Sequence, residues 1–249
     1  MAVLWEEIGW VDLETYLRRD DRALLPVGSC EQHGRHLSFA TDYLIPTEIA
    51  KRVSARTGVP VAPTLCFGMS VHHMDFPGTL TLSPDTFVAV IRDLVESLYR
   101  HGFHRVLILN GHGGNIAPLT TALSTLADRH RDLRLKVGHW WQDPAVQAVM
   151  REAWGDVEYH AAAGETSAIL AVRGPFRSSN GQPIRPGGRG WSSRALATGR
   201  RSSRTAPQAS IPRRGHPRSA SGCSPPRRNG SRAKSSSGSR WSRVEELKS

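Results

Sequence analysis

The sequence contains few cysteines and no long apolar stretch. Its three cysteines, Cys30, Cys66 and Cys223, give no paired framework, which excludes the small disulfide-rich secreted folds. No segment approaches the roughly 20 consecutive apolar residues that a membrane-spanning helix requires. The opening residues MAVLWEEIGW also lack the charged and then apolar pattern of a secretory signal. We therefore expect a cytoplasmic protein with no membrane partner.

Acidic residues are almost absent from the last third of the chain. Residues 174–249 hold 17 Lys and Arg but only two acids, Glu245 and Glu246, which gives a net charge of +15. Residues 1–173 carry a net charge of −4. This change predicts a folded domain over 1–173, followed by an Arg-, Ser-, Pro- and Gly-rich segment over 174–249. Such a composition buries too little apolar surface to fold alone and is typical of disorder.

Residues that commonly bind metal ions occur in three clusters of the first 173 residues. The stretches are GSCEQHGRHLSFATD from residue 28, NGHGGN from residue 110 and HAAAGETS from residue 160. Carboxylates and imidazoles are the donors that hold zinc or manganese, and a Glu-x-His pair on extended backbone can turn both side chains towards one ion. Together the clusters predict a metal site. Their ligand-type residues are Glu31, His33 and Asp42, then His112, and finally His160 and Glu165.

The apolar periodicity of the same region predicts an α/β fold. Strand-like runs occur in RALLPVGS, VPVAPTLCFG, HRVLILNGHGGN and LRLKVGHWW, and helical spacing occurs between them. One helix is predicted to begin with a cap at Thr41 and Asp42, and the next with Ser83 and Pro84. The alternating order predicts a three-layer α/β/α architecture with a mostly parallel sheet. Sites in such sheets form at the carboxyl ends of the strands, where His112 lies.

Five ordered motifs resemble those of the creatininase (creatinine amidohydrolase) family. They are GS-x-EQHG-x-H-L, the TD that follows it, H-x-x-FPGT at 73–79, NGHGGN, and H-x4-ETS at 160–167. The similarity runs from about Leu24 to Ala171. It implies a creatininase-like fold and a metal-dependent amidohydrolase that cleaves a non-peptide or cyclic amide C–N bond in a small molecule.

The resemblance also implies a site for two divalent ions, zinc, manganese or both, with Asp42 as the bridging ligand. Creatininase itself reads NGHYEN and uses that glutamate as a ligand, whereas this chain has Gly113 and Gly114 there. Glu165 is the expected replacement. Glycines at 111, 113 and 114 are expected to let the backbone approach the ions closely. The complete expected ligand set is Glu31, His33, Asp42, His112 and Glu165.

Two adjacent ions about 3.5–4 Å apart can activate a water and stabilise the charge that develops on an amide oxygen. His160 matches the family's proton-transfer histidine and is expected to deliver a proton to the leaving nitrogen. Ser70 and His73 are candidate substrate contacts, with a turn serine and a loop hydrogen bond as their alternatives. Trp140 and Trp141 are predicted to form an aromatic wall over a flat substrate, with core packing as the alternative for one of them.

The substrate class has alternatives. Relatives with NGHGGN include formamidopyrimidine-type deformylases and peptidases that trim a small modified peptide. The family resemblance further implies a homo-oligomer, a hexamer, if the C-terminal segment is intact. In a different class of hypothesis, the chain is an inactive or truncated protein whose basic tail binds nucleic acid.

Two interpretations of residues 174–249 follow. A genuine basic arm would bind nucleic acid or another anionic surface in a salt-dependent way. We favour the alternative, a shifted reading frame. Relatives carry a helical C-terminal portion here, the resemblance stops near Val172, and an off-frame reading of GC-rich codons yields Arg, Ser, Pro and Gly.

Overall fold

The computed structural model describes residues 1–155 and 160–174, and within them three parallel strands form one sheet. The strands are β1 (Arg22–Val27), β2 (Arg105–Asn110) and β3 (Arg134–His139), in that spatial order. Val27 pairs with Asn110 and Asn110 pairs with His139. Because the strands are parallel and in register, their carboxyl ends meet at one edge of the sheet. The loops that leave this edge carry most of the predicted site.

Helices cover both faces of the sheet, which confirms the predicted three-layer architecture. One face packs on α3 and α4, with α1 beside them, through a large apolar cluster. The other face packs on α2 through a smaller cluster that includes Leu24 and Ala50. The helices are α1 (Trp10–Leu17), α2 (Thr41–Thr57), α3 (Pro84–Arg100), α4 (Ile116–Arg129), α5 (Pro144–Trp154) and α6 (Ala163–Arg173).

Helix α3 illustrates how the sequence pattern gives this packing. Its apolar positions recur every three or four residues, so they share one face, and Phe87, Ile91 and Val95 are fully buried. Burial of each such side chain contributes about 1.5–3 kcal/mol. The predicted start is confirmed, since the Ser83 hydroxyl accepts a hydrogen bond from the Thr86 N–H at 3.2 Å.

The predicted cap of α2 is wrong. The helix begins at Thr41, its N-cap is Ala40, and no side chain caps it. The hydroxyl of Ser38 instead accepts the Ala40 N–H at 3.2 Å. Thr41 and Asp42 both lie buried in the first turn. Asp42 is therefore directed into the protein rather than used to cap the helix.

The predicted strand in VPVAPTLCFG is also only partly correct. This segment runs parallel to β1 but pairs with it through isolated bridges at Val61 and Leu65. The segment has one extra residue between the two bridges, since Leu24 pairs with Val61 and Val27 with Leu65, so it bulges around Pro63 and forms no continuous ladder.

None of the described helices is both long and apolar enough to cross a bilayer. Helix α6 ends at Arg173, and Gly174 follows it with φ 74°. The basic segment lies beyond the described residues, so its two interpretations and the domain boundary at 173 stay predictions.

Candidate metal centre

Elements distant in the sequence bring the predicted ligands together at the carboxyl edge of the sheet. The loop after β1 supplies Glu31 and His33, and the loop after β2 supplies His112. Asp42 lies in the first turn of α2 and Glu165 in the first turn of α6. Their donor atoms form two groups that could each hold an ion and that share one member. The groups are Glu31, Asp42 and His112, and His33, Asp42 and Glu165.

Asp42 links the two groups because its carboxylate oxygens face different histidines. Oδ1 lies 2.9 Å from Nε2 of His33, and Oδ2 lies 2.9 Å from Nδ1 of His112. Glu165 Oε2 lies 3.6 Å from His33 Nε2 on one side. Glu31 Oε1 lies 3.3 Å from His112 Nδ1 on the other. This arrangement matches the bridging position expected for Asp42.

The buried ligand atoms are oriented to bind cations rather than to form hydrogen bonds with one another. Glu31 Oε2, His33 Nε2 and Asp42 Oδ2 are all buried, yet none has a hydrogen-bond partner within the described residues. His33 Nε2 and Asp42 Oδ2 each lie 2.9 Å from an ion-pair partner, but without the alignment that a hydrogen bond needs. Unpaired buried polar atoms are costly, and divalent ions at the two ligand groups would satisfy all three. The residues therefore fit the zinc or manganese implied by the resemblance.

The electrostatics of the two histidines also favour a cation at each group. Burial alone would lower the pKa of both imidazoles, but the surrounding carboxylates outweigh it. Asp42, Glu165 and Glu31 raise the pKa of His33 to about 9. Asp42 and Glu31 raise the pKa of His112 to about 10. The carboxylates thus create a potential that attracts positive charge, whether it comes from protons or from metal ions.

Glycines allow the first turn of α2 to approach the strand ends. A Cβ on Gly28 would lie 2.5 Å from the Asp42 carbonyl oxygen, and a Cβ on Gly111 would lie 2.7 Å from Cδ and Cγ of Pro46. The close approach predicted at Gly113 is wrong, since a Cβ there would meet nothing within 4 Å. Gly113 therefore faces open space.

Gly114 leaves no room for the side chain that the related NGHYEN motif carries at this position. A Cβ at this position would collide with the Met69 carbonyl oxygen and with His112 Nε2. No side chain fits there in this backbone. Glu165 instead reaches His33 from α6, where its Oε2 also accepts the Ala161 N–H at 2.6 Å.

Ser70 lies beneath the ligands. It is fully buried, and its Oγ is 2.5 Å from Ser29 Oγ and 3.2 Å from Nε2 of His112. The same nitrogen lies 3.0 Å from the Met69 carbonyl oxygen. In this position Ser70 supports the orientation of His112, because a metal-binding imidazole is held in place by the hydrogen bond of its other ring nitrogen. Its substrate contact stays a prediction.

His160 and His73 lie side by side above Glu31. Nδ1 of His160 is 3.3 Å and Nε2 of His73 is 3.7 Å from Glu31 Oε1. Their ring centroids are 4.4 Å apart. Burial, followed by the charge of His33, lowers the pKa of His160 to about 4. His160 is therefore a neutral imidazole at pH 7 and can accept a proton.

Trp140 and Trp141 begin a short 3-10 turn immediately after β3, at the same edge of the sheet. Their rings are 6.1 Å apart and nearly perpendicular. Both are half-buried, and Nε1 of Trp140 is a buried donor without a partner in the described part of the chain. The position is compatible with an aromatic wall, which stays a prediction.

Sequence reasoning missed several supporting side chains. Asn115 donates to the Gly28 carbonyl at 3.0 Å and accepts the Met69 N–H at 3.0 Å, so it joins two loops of the site. Buried His36 lies 3.3 Å from the hydroxyl of Thr166 in α6. The asparagine that closes NGHGGN was a usable signal, whereas no spacing links residue 36 to 166. Cys30 belongs to none of the potential ligand groups in the described residues.

Comparisons with known proteins agree with this geometry. The family model described as "Creatininase: Creatinine amidohydrolase" matches residues 6–222. The creatinine amidohydrolase of Pseudomonas putida is 33% identical over 188 residues, covering 69% of this chain and 72% of that protein. The mycofactocin precursor peptide peptidase of Mycolicibacterium smegmatis is 32% identical over 155 residues, covering 60% of this chain and 57% of that protein.

Solved creatininase structures share the fold. A structure described as "Creatininase Mn" has a TM-score of 0.62 and 32% identity, covering 70% of this chain and 74% of that chain. A creatininase mutant of Zn-Zn type has a TM-score of 0.63 and 30% identity, covering 70% of this chain and 73% of that chain. The family match extends beyond both ends of the stretch that carries the motifs, so the prediction that the resemblance stops near Val172 is wrong. The chain belongs to the creatininase family of metal-dependent amidohydrolases.

Proposed function

We propose that this chain hydrolyses a non-peptide or cyclic amide C–N bond of a small molecule. The observation that carries the proposal is the position of Asp42, whose two oxygens join two separate ligand groups. When bound there, the two ions would supply an activated water and a Lewis acid for the amide carbonyl. Glu31 and His112 would complete one ligand group, and His33 and Glu165 the other.

The protein's own contribution to proton transfer comes from His160. Its Nδ1 lies on the ligand side of the ring, 3.3 Å from Glu31 Oε1. Because burial keeps the imidazole neutral at pH 7, it can take up a proton as the amide is attacked. It can then release that proton to the leaving nitrogen, which is a poor leaving group without one.

The surroundings support a compact, planar substrate. Trp140 and Trp141 are both half-buried at the edge of the sheet where the ligands meet, and their ring faces could stack on a flat substrate. The similarity to a creatinine amidohydrolase supports the same class. A longer, peptide-like substrate is the second candidate, since exposed Gly113 carries no side chain that would obstruct it. The similarity to a peptidase of a modified peptide is consistent with that alternative.

The metal content of purified protein tests the ligand assignment. We expect about two divalent ions per folded chain. His33→Ala and His112→Ala should each retain about one ion, because each removes a ligand from a different group. His130→Ala, which removes a histidine paired with Glu96 outside the site, should retain both. The assignment would be refuted if folded wild-type protein, stripped of metal and then incubated with zinc or manganese, still contained no metal by elemental analysis.

His160→Gln separates catalysis from metal binding. The variant should keep both ions and lose about 10²–10⁴-fold in kcat, the range typical of a removed acid–base group. Steady-state kinetics combined with elemental analysis measures both effects. An unchanged kcat would remove His160 from the mechanism, and loss of an ion would make it a ligand instead.

A substrate screen with the zinc- and manganese-loaded protein decides between the candidates. Creatinine, formamides, small lactams and hydantoin-like rings represent the first class, and short peptides the second. Hydrolysis of a ring or a small amide alone, followed by mass spectrometry as the addition of one water, supports the proposal, whereas cleavage of peptides alone overturns it. We further propose a homo-oligomer, which the similarity to the family implies, and light scattering coupled to size exclusion would measure it.

A further inference from the structure

Gln32 lies between the two histidines that overlook Glu31. Its side-chain Nε2 is 2.9 Å from Nδ1 of His73, and its main-chain carbonyl oxygen is 2.7 Å from Nε2 of His160. The residue thus contacts one histidine through its side chain and the other through its backbone. These contacts determine which nitrogen of each ring carries the proton.

The backbone fixes the orientation of the Gln32 amide. The N–H of Gly34 can only donate, and it lies 2.9 Å from Oε1 of Gln32. The amide NH₂ group must therefore point the other way, towards Nδ1 of His73, which accepts. In a neutral imidazole the proton then lies on the remaining nitrogen. His73 consequently presents an Nε2–H towards Glu31.

The tautomer of His160 follows from its contact with the main-chain carbonyl oxygen of Gln32. A carbonyl oxygen can only accept a hydrogen bond, so Nε2 of His160 must carry the proton that is donated across the 2.7 Å contact. The 3.1 Å approach of the Gln32 amide nitrogen to the same Nε2 then joins two donors and is no hydrogen bond. The lone pair of His160 lies on Nδ1, the nitrogen that faces Glu31 at 3.3 Å.

We propose that Gln32 is a positioning residue that assigns different tasks to the two histidines. Its carbonyl leaves His160 with a free lone pair at Nδ1, so this ring accepts the proton. Its side chain occupies Nδ1 of His73, so this ring keeps its Nε2–H on the Glu31 side, where it acts as a hydrogen-bond donor. The assignment rests on the proposed hydrolase function and deepens it.

The experiment measures tautomers directly, without any substrate. Full-length protein labelled with ¹⁵N-histidine is loaded with zinc, which is diamagnetic, and the imidazole nitrogens are observed by NMR. In the wild type, both His73 and His160 should carry their proton on Nε2. In Gln32→Glu the new side chain offers only acceptors, so His73 should carry a proton on Nδ1. His160 should keep its Nε2–H, because its partner is the main-chain carbonyl.

Gln142→Glu provides the control, since it makes the same chemical change at an exposed position in the turn after β3. It should leave both tautomers as in the wild type. A wild-type His73 protonated on Nδ1 alone, or a His160 protonated on Nδ1 alone, would overturn the proposal even if Gln32→Glu did not fold. Unchanged His73 signals in folded Gln32→Glu would also overturn it. Because no turnover is measured, failure of the hydrolase proposal would be seen separately, in the substrate screen.

Discussion

Asp42→Asn is expected to remove both metal ions and to abolish activity. Each oxygen of Asp42 faces a different histidine, His33 or His112, at 2.9 Å. An amide offers one neutral oxygen and one NH₂ group, so it cannot bridge two cations, and the NH₂ group would point at an ion. Without the metals the transition state loses several kcal/mol of stabilisation, which corresponds to a decrease in kcat/KM of about 10³-fold or more.

The matched control for this prediction is Asp93→Asn. Asp93 lies on α3 with 78% of its side chain exposed, away from the ligands. It should keep two ions and wild-type turnover. Elemental analysis and kinetics on the two variants provide the comparison. If Asp42→Asn retained both ions, Asp42 would not be the bridge.

Gly111→Ala is expected to destabilise the domain and to empty the site at the same time. The added Cβ would lie 2.7 Å from Cδ and Cγ of Pro46 and closer still to the carbonyl oxygen of Asp42. Both contacts belong to the first two turns of α2, so the helix start must move, and the Asp42 carboxylate would move with it. Overpacking of this kind costs about 3 kcal/mol, which lowers the Tm by roughly 6–12 °C for a domain of this size.

Gly113→Ala tests the same motif without the collision. Because its Cβ would meet nothing within 4 Å, the change in unfolding free energy should stay within about 0.5 kcal/mol. Both ions should remain bound. Thermal unfolding and metal analysis of the pair therefore separate a packing requirement from a general sensitivity of the NGHGGN loop. Equal Tm values for the two variants would contradict the packing argument.

Most elements of the fold could be predicted because their signals are local. β1 and β2 each end where a glycine follows, β3 ends at the Trp140–Trp141 pair, and α3 shows unbroken helical spacing. The segment before Leu65 misled the prediction, because its composition is strand-like while it bulges around Pro63 and forms no continuous ladder. Capping at Thr41 was also misjudged. A helix-start pattern does not reveal that the first turn is buried against another loop.

The sequence by itself determined the family, the α/β architecture and the set of ligand-type residues, because motif order and apolar periodicity are written along the chain. The relative positions of these residues came from the tertiary structure. It placed the oxygens of Asp42 between two histidines, excluded a side chain at Gly114, and set Gln32 between His73 and His160. These relations depend on the distance and direction between atoms that the fold brings together, which spacing in sequence does not encode.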